Sequence, residues 1–135
     1  MLDKQLVEAE AERLRDEVQR LPDPIRFVFH RETNKELKDP DTYAVLAWSL
    51  PLCLHHFYLG KWNRGLLELA AVILGLVFFI AGISADEMIL LAIGIPLILA
   101  VSVAELYCLF RSEVIVKNYN NKLMVQILEN ARLHS

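Results

Sequence analysis

The sequence predicts an all-α membrane protein with two transmembrane helices, one re-entrant or half-inserted helix, and amphipathic cytoplasmic helices at both ends. Residues 65–83 and 88–110 are almost uncharged. At about 1.5 Å per residue, each run is long enough to cross the roughly 30 Å of hydrocarbon in a bilayer. A third apolar run, residues 43–54, is interrupted around Pro51 and is too short to cross, which is typical of a re-entrant segment.

Composition divides the chain into three regions: a cytoplasmic extension at 1–41, a membrane domain at 42–111 and a C-terminal helix at 112–135. The overall 55% hydrophobic content therefore combines charged ends with an apolar centre. The net charge of -3 gives no sign of nucleic-acid binding. The N-terminus lacks the early apolar core of a signal peptide. Cys53 and Cys108 both lie in apolar runs, so we expect no structural disulfide.

Residues 2–21 show apolar positions at alternating spacings of four and three, which predicts an amphipathic helix. The repeat is shorter than a coiled coil requires, so we favour a helix lying on its own protein or on the bilayer over a self-associating one. Proline at positions 22 and 24 ends this helix. The apolar positions are Val7, Ala11, Leu14, Val18 and Leu21.

Residues 25–31 alternate between apolar and polar side chains, with Ile25, Phe27 and Phe29 on one side. This period of two predicts a short extended segment. Because a lone strand is not stable, the segment must pair with another chain or place its aromatic side chains against the membrane interface. Residues 32–41 are polar and predict a linker or a short surface helix. At the other end of the chain, apolar residues recur at helical spacing through 112–135, and this helix is expected to pack on the N-terminal one.

The distribution of cations predicts the topology. If the first apolar run returns to its own side, both chain ends and all cations flanking the membrane domain share one side, and the acidic turn at Asp86 takes the other. This arrangement satisfies the positive-inside rule, so we predict cytoplasmic N- and C-termini. The flanking cations are Lys61, Arg64, Arg111 and Lys117.

A short motif at the end of the first apolar run consists of His55, His56, Phe57, Tyr58, Leu59 and Gly60, and Gly65 follows it. This motif resembles the signature of the TM2 domain family. Gly65 opens the next helix and Glu105 stands where the family usually has Asp, whereas His56 replaces the usual Arg. The resemblance covers residues 42–111 and implies a multi-pass protein with two crossings and, in bacteria, no well-defined activity. Animal members of the family carry a signal peptide and an extracellular region, and neither is recognisable in this sequence. A location in a bacterial inner membrane is therefore expected.

Ionisable side chains should meet at one depth near the cytoplasmic face. Arg64 and Glu68 are i, i+4 neighbours and can pair. Glu105, near the end of the second crossing, needs a donor, because a carboxylate is costly in a bilayer. We favour a structural clasp, which holds the first apolar run against the two crossing helices, over a proton- or ion-handling site. The predicted cluster contains His55, His56, Tyr58, Arg64, Glu68 and Glu105.

The histidines and cysteines do not form a recognisable metal motif. A metal-ligand set can be drawn from Cys53, His55, His56, Glu105 and Cys108. The Cys-x-His-His spacing is not standard for structural zinc, and cysteine is common in apolar surroundings as a small hydrophobic residue, so we expect no metal and no cofactor. Tyr43, Tyr58 and the two tryptophans, Trp48 and Trp62, are better explained as interfacial anchors.

Two pairs of small residues, Ala71 with Gly75 and Ala100 with Ala104, allow close helix contact within the chain or between protomers. We therefore expect a homo-oligomer in the lipid bilayer. No catalytic set is recognisable, so an enzyme is not expected. The sequence favours a non-catalytic membrane scaffold or adaptor that presents its cytoplasmic helices to a protein partner. The alternative is a small oligomeric ion channel or transport subunit that uses the His and Glu side chains.

Overall fold

A computed structural model describes residues 2–49 and 53–133, and these form α-helices and no strand. The chain divides into two compact units, which we call the terminal unit (within 1–40 and 112–135) and the hairpin unit (within 41–111). The helices are α1 (Lys4–Gln19), α2 (Asp23–Glu36), α3 (Pro40–Trp48), α4 (Leu54–Tyr58), α5 (Trp62–Ala85), α6 (Met88–Phe110) and α7 (Ser112–Leu133).

The extended segment predicted at residues 25–31 is wrong, because these residues lie inside α2. Pro24 stands in the first turn of that helix, where its missing N–H costs nothing. Phe29 is buried while Phe27 is 68% exposed, so the aromatic side chains do not share one face as a strand would require. Seven residues of alternation are too few to distinguish a strand from a helix. Packing against α7 favours the helix.

The terminal unit packs α1 and α2 against α7 around a small apolar core. Asn121, which is buried in α7, donates its side-chain amide to the carbonyl of Val7 at 2.9 Å. At the surface, Arg132 pairs with Glu17 at 2.7 Å. The core consists of Val18, Phe29, Ile127 and Leu128, with Leu21, Leu123 and Met124 packed around it.

The hairpin unit is built on α5 and α6, both of which are long and apolar enough to span a membrane. Only 17% of the most apolar stretch of each helix is buried, so most of its apolar surface points outward. The core helix of a soluble domain would bury that surface, and the two helices are therefore compatible with a membrane protein. Asp86, at a left-handed φ of 53°, ends α5 and turns the chain into α6.

The α5–α6 contact depends on glycines. A Cβ atom on Gly94 would lie 2.9 Å from the carbonyl oxygen of Gly75 and 2.9 Å from the backbone nitrogen of Phe79. Of the predicted small-residue pairs, Gly75 is therefore inside the hairpin, whereas Ala100 is exposed. Ala71 and Ala104 are half-buried. Gly82 and Gly94 were not predicted from the sequence; Gly82 packs in the same way against Leu91.

The first apolar run contains two short helices, α3 and α4, on either side of residues 50–52. The predicted interruption at Pro51 lies outside the described residues. With 9 residues, α3 measures about 13 Å and cannot cross a bilayer. Re-entry of this run into the membrane stays a prediction.

Gly94→Leu should lower the free energy of unfolding by about 2 to 3 kcal/mol, because its side chain would collide with the backbone of α5, which cannot move aside. The measurement is unfolding of the detergent-solubilised protein by sodium dodecyl sulfate, followed by circular dichroism. The matched control is Ala92→Leu on an exposed position of the same helix, which should change stability by less than about 0.5 kcal/mol. Equal effects of the two substitutions would contradict the glycine contact.

Candidate functional site

The short helix α4 is held against the start of α5 by an aromatic side chain. Phe57 lies over Gly65, where an added Cβ atom would come within 2.9 Å of the ring. The same ring packs edge-on against Trp62 at 5.1 Å between centroids. Gly60, at a φ of +69°, supplies the left-handed residue between the two helices. These contacts explain why the motif needs Phe and two glycines, and they bring both histidines of α4 to the α5–α6 pair.

His55 and Glu105 form a buried pair between α4 and α6. Nδ1 of His55 lies 3.0 Å from Oε2 of Glu105, and the side chains are 0% and 1% exposed. The distance is that of an ion pair, although the angles fall outside those of a good hydrogen bond. An unpaired carboxylate here would carry a large desolvation cost, so this contact stabilises the association of α4 with α6.

His56 makes the corresponding contact with α5. Its Nε2 lies 2.7 Å from Oε2 of Glu68, while Nε of Arg64 donates to Oε1 of the same carboxylate at 3.1 Å. Glu68 therefore holds an imidazole from α4 and a guanidinium from its own helix. We call His55, His56, Glu68 and Glu105 the polar cluster.

Three further side chains line the polar cluster. Tyr43 is 1% exposed and packs edge-on against His55, with ring centroids 5.2 Å apart. Its predicted role as an interfacial anchor is therefore wrong, and its position twelve residues before His55 in the sequence gave no indication of the contact. Cys53 and Cys108 are buried and reduced.

The other predicted residues lie towards the surface. Trp48 and Trp62 are 69% and 63% exposed, and Tyr58, the last residue of α4, is half-buried. Arg64 reaches the polar cluster from an exposed position through Glu68.

The pKa values of the two imidazoles are shifted in opposite directions. Burial opposes a charge on His55, but its contacts with Cys108 and Glu105 outweigh that cost and raise its pKa. Burial and the neighbouring His55 lower the pKa of His56, although Glu68 acts in the opposite direction. Because their rings lie only 4.0 Å apart, a charge on one imidazole opposes a charge on the other.

The polar cluster leaves several buried atoms without hydrogen bonds. Both ring nitrogens of His55, Nδ1 of His56 and both carboxylate oxygens of Glu105 are enclosed and have no hydrogen-bond partner among the residues that the structure describes. Each histidine is thus held at one ring nitrogen by a carboxylate and offers the other to the interior. Such an arrangement suits a structural clasp, the movement of a proton, or ligation.

In three comparisons, no protein-family model, curated protein or solved structure matched the chain. The resemblance of residues 42–111 to the TM2 domain family accordingly stays a prediction.

Glu105→Gln should lower the free energy of unfolding by about 3 kcal/mol, because it leaves the buried His55 without its carboxylate partner. Glu87→Gln, an exposed acid at the opposite end of α6, is the control and should have little effect. In a double-mutant cycle, His55→Gln should cost much less in the Glu105→Gln background than alone. Additive effects of His55→Gln and Glu105→Gln would show that the pair does not couple α4 to α6.

Proposed function

We propose that the protein is a non-catalytic membrane scaffold that anchors itself through α5 and α6 and presents the terminal unit to a cytoplasmic protein partner. The observation that carries this proposal is the division of the chain into a unit with an apolar exterior and a unit with a charged exterior and an apolar core. Each unit has its own packing, as expected for an anchor joined to an interaction module. On this proposal, residues 42–111 are a TM2-like anchor.

The terminal unit offers surfaces of a suitable size for a partner. A groove of about 630 Å³ is lined by residues of α1, α2 and α7, among them the apolar Phe29 and Met124 and the charged Arg15 and Lys117. A second groove of about 540 Å³ lies between α2 and α7. Grooves that combine apolar and charged lining residues are typical of sites that accept a helix or an extended segment of another protein.

The proposed topology places both chain ends on the cytoplasmic side of a bacterial inner membrane. Arg64 and Arg111 lie at the open end of the α5–α6 hairpin, and Asp86 and Glu87 lie at its closed end. Cations favour the cytoplasmic side of an inner membrane. The polar cluster then lies near that face, because Glu68 and Glu105 are about 9 Å and 8 Å from the open ends of their helices.

Reporter fusions test this topology. A reporter inserted after Asp86 should report the periplasm, while reporters at the N-terminus and after Ser135 should report the cytoplasm. Reporters after Asp86 and Ser135 on the same side of the membrane would overturn the proposal.

Self-association is the second part of the scaffold proposal. The outward surfaces of α5 and α6 are apolar, and the exposed Ala100 provides a flat position where another helix can approach closely. Between two protomers, such a contact would add to the α5–α6 interface within each hairpin.

Light scattering coupled to size exclusion in mild detergent should give more than one chain per particle. Ala100→Leu should reduce that number, because the larger side chain separates the helices. The matched control, Val103→Leu, adds a methylene group to an exposed apolar position and should leave the number unchanged. A monodisperse monomer would contradict self-association.

A channel or transport subunit is the second candidate, favoured by the buried ionisable pair of His55 and Glu105. A closed ring of several protomers in the same scattering experiment would favour the channel, because two helices per chain cannot surround a water path alone. Glu105→Gln should then alter conductance in bilayer recordings while assembly survives. A dimer favours the scaffold.

A further inference from the structure

Two histidines and a cysteine converge inside the hairpin unit. One ring nitrogen of His55, one of His56 and Sγ of Cys108 all lie within 4.8 Å of one another, and all three residues are buried. The histidines come from α4 and the cysteine from the end of α6, so packing of the helices creates a set of donors that the sequence spacing does not reveal.

The orientation of the two imidazoles is a second and independent observation. A carboxylate accepts hydrogen bonds, so Glu68 favours the N–H form at Nε2 of His56, while Glu105 faces Nδ1 of His55 at ion-pair distance. Nδ1 of His56 and both ring nitrogens of His55 are buried and without a hydrogen-bond partner in the described chain, and the nitrogens that face away from the carboxylates, Nδ1 of His56 and Nε2 of His55, are those left to ligate. Carboxylates that orient metal-binding histidines in this way are the usual outer shell of metal sites.

We propose that His55, His56 and Cys108 bind a cation of the borderline-to-soft class, Zn²⁺ or Cu⁺. Imidazole and thiolate are the ligands that these ions prefer. Ligation would satisfy buried nitrogens whose isolation otherwise destabilises the folded state. This goes beyond the scaffold proposal and does not depend on it, and it differs from the expectation drawn from the sequence.

The fit requires only small movements and balances the charge. Ligand atoms around zinc lie roughly 3.3 to 3.7 Å apart, so donors within 4.8 Å must close by about 1.5 Å at most. On binding, Cys108 releases its thiol proton to solvent, and any proton on Nε2 of His55 leaves with it. The formal charges of a divalent ion, the Cys108 thiolate, the two carboxylates of the polar cluster and the Arg64 guanidinium then sum to zero. Three protein ligands leave one position for water or an exchangeable ligand.

A competing set, formed by Cys53 with Glu68 and Glu105, also lies within 4.8 Å. We favour the His55, His56 and Cys108 set because both carboxylates already hold imidazoles, and Glu68 also holds Arg64. The two sets differ in their cysteine, so an experiment can separate them.

The test uses the full chain without an affinity tag, purified in mild detergent and treated with a chelator. Titration with Co²⁺ should produce a cobalt–thiolate charge-transfer band and the visible bands of a tetrahedral ion, saturating at about one ion per chain. Elemental analysis of protein purified without the chelator then identifies the ion that the cell supplies, zinc or copper. A wild-type chain that gives no thiolate band and retains no ion overturns the proposal without any variant.

Variants locate the site. Cys108→Ser should abolish the thiolate band, whereas Cys53→Ser should keep it; the reverse result would assign the competing set and overturn ours. His56→Ala should lower the affinity for Co²⁺ at least tenfold. The matched control, His30→Ala, removes an exposed histidine of the terminal unit and should leave affinity unchanged. Equal loss in His30→Ala and His56→Ala would mean surface binding and would also overturn the proposal.

Discussion

The buried contact between His55 and Glu105 is the constraint on which the hairpin unit depends. A carboxylate inside an apolar helix pair is tolerated only when a donor reaches it, and the donor here comes from α4 rather than from α5 or α6. The short helix is therefore bound to the hairpin by electrostatics as well as by the Phe57–Gly65 contact. Tyr43 then closes over His55, which attaches α3 to the same end of the hairpin.

The two units follow opposite rules for apolar side chains. In the terminal unit, Phe29 and Leu128 point inward and the charged residues face outward, as in a protein folded in water. In the hairpin unit, small residues such as Gly75 and Gly94 lie at the contact while leucines and isoleucines point outward. On the proposal that α5 and α6 lie in lipid, apolar burial gives no gain between them, and close backbone approach takes its place.

The elements that depend on local chemistry could be predicted from the sequence. Length and hydropathy marked α5 and α6, and the i, i+4 spacing of Arg64 and Glu68 predicted a pair that is present at 3.1 Å. Features created by packing between distant segments could not be predicted. Residues 25–31 alternate like a strand but are helical because α7 covers Phe29. The burial of Tyr43 beside His55 likewise depends on how α3 and α4 pack against each other.

The geometry of the polar cluster favours ligation over ion conduction as the use of its histidines. Each imidazole is already held at one nitrogen by a carboxylate, so a conducting pathway through the cluster would have to break the contacts that attach α4 to the hairpin. A bound cation would use the nitrogens that these contacts leave over and would pull α4 and α6 closer together through Cys108. Metal binding and the structural clasp are therefore compatible with each other, because one set of ring nitrogens serves the carboxylates and the other set serves the ion.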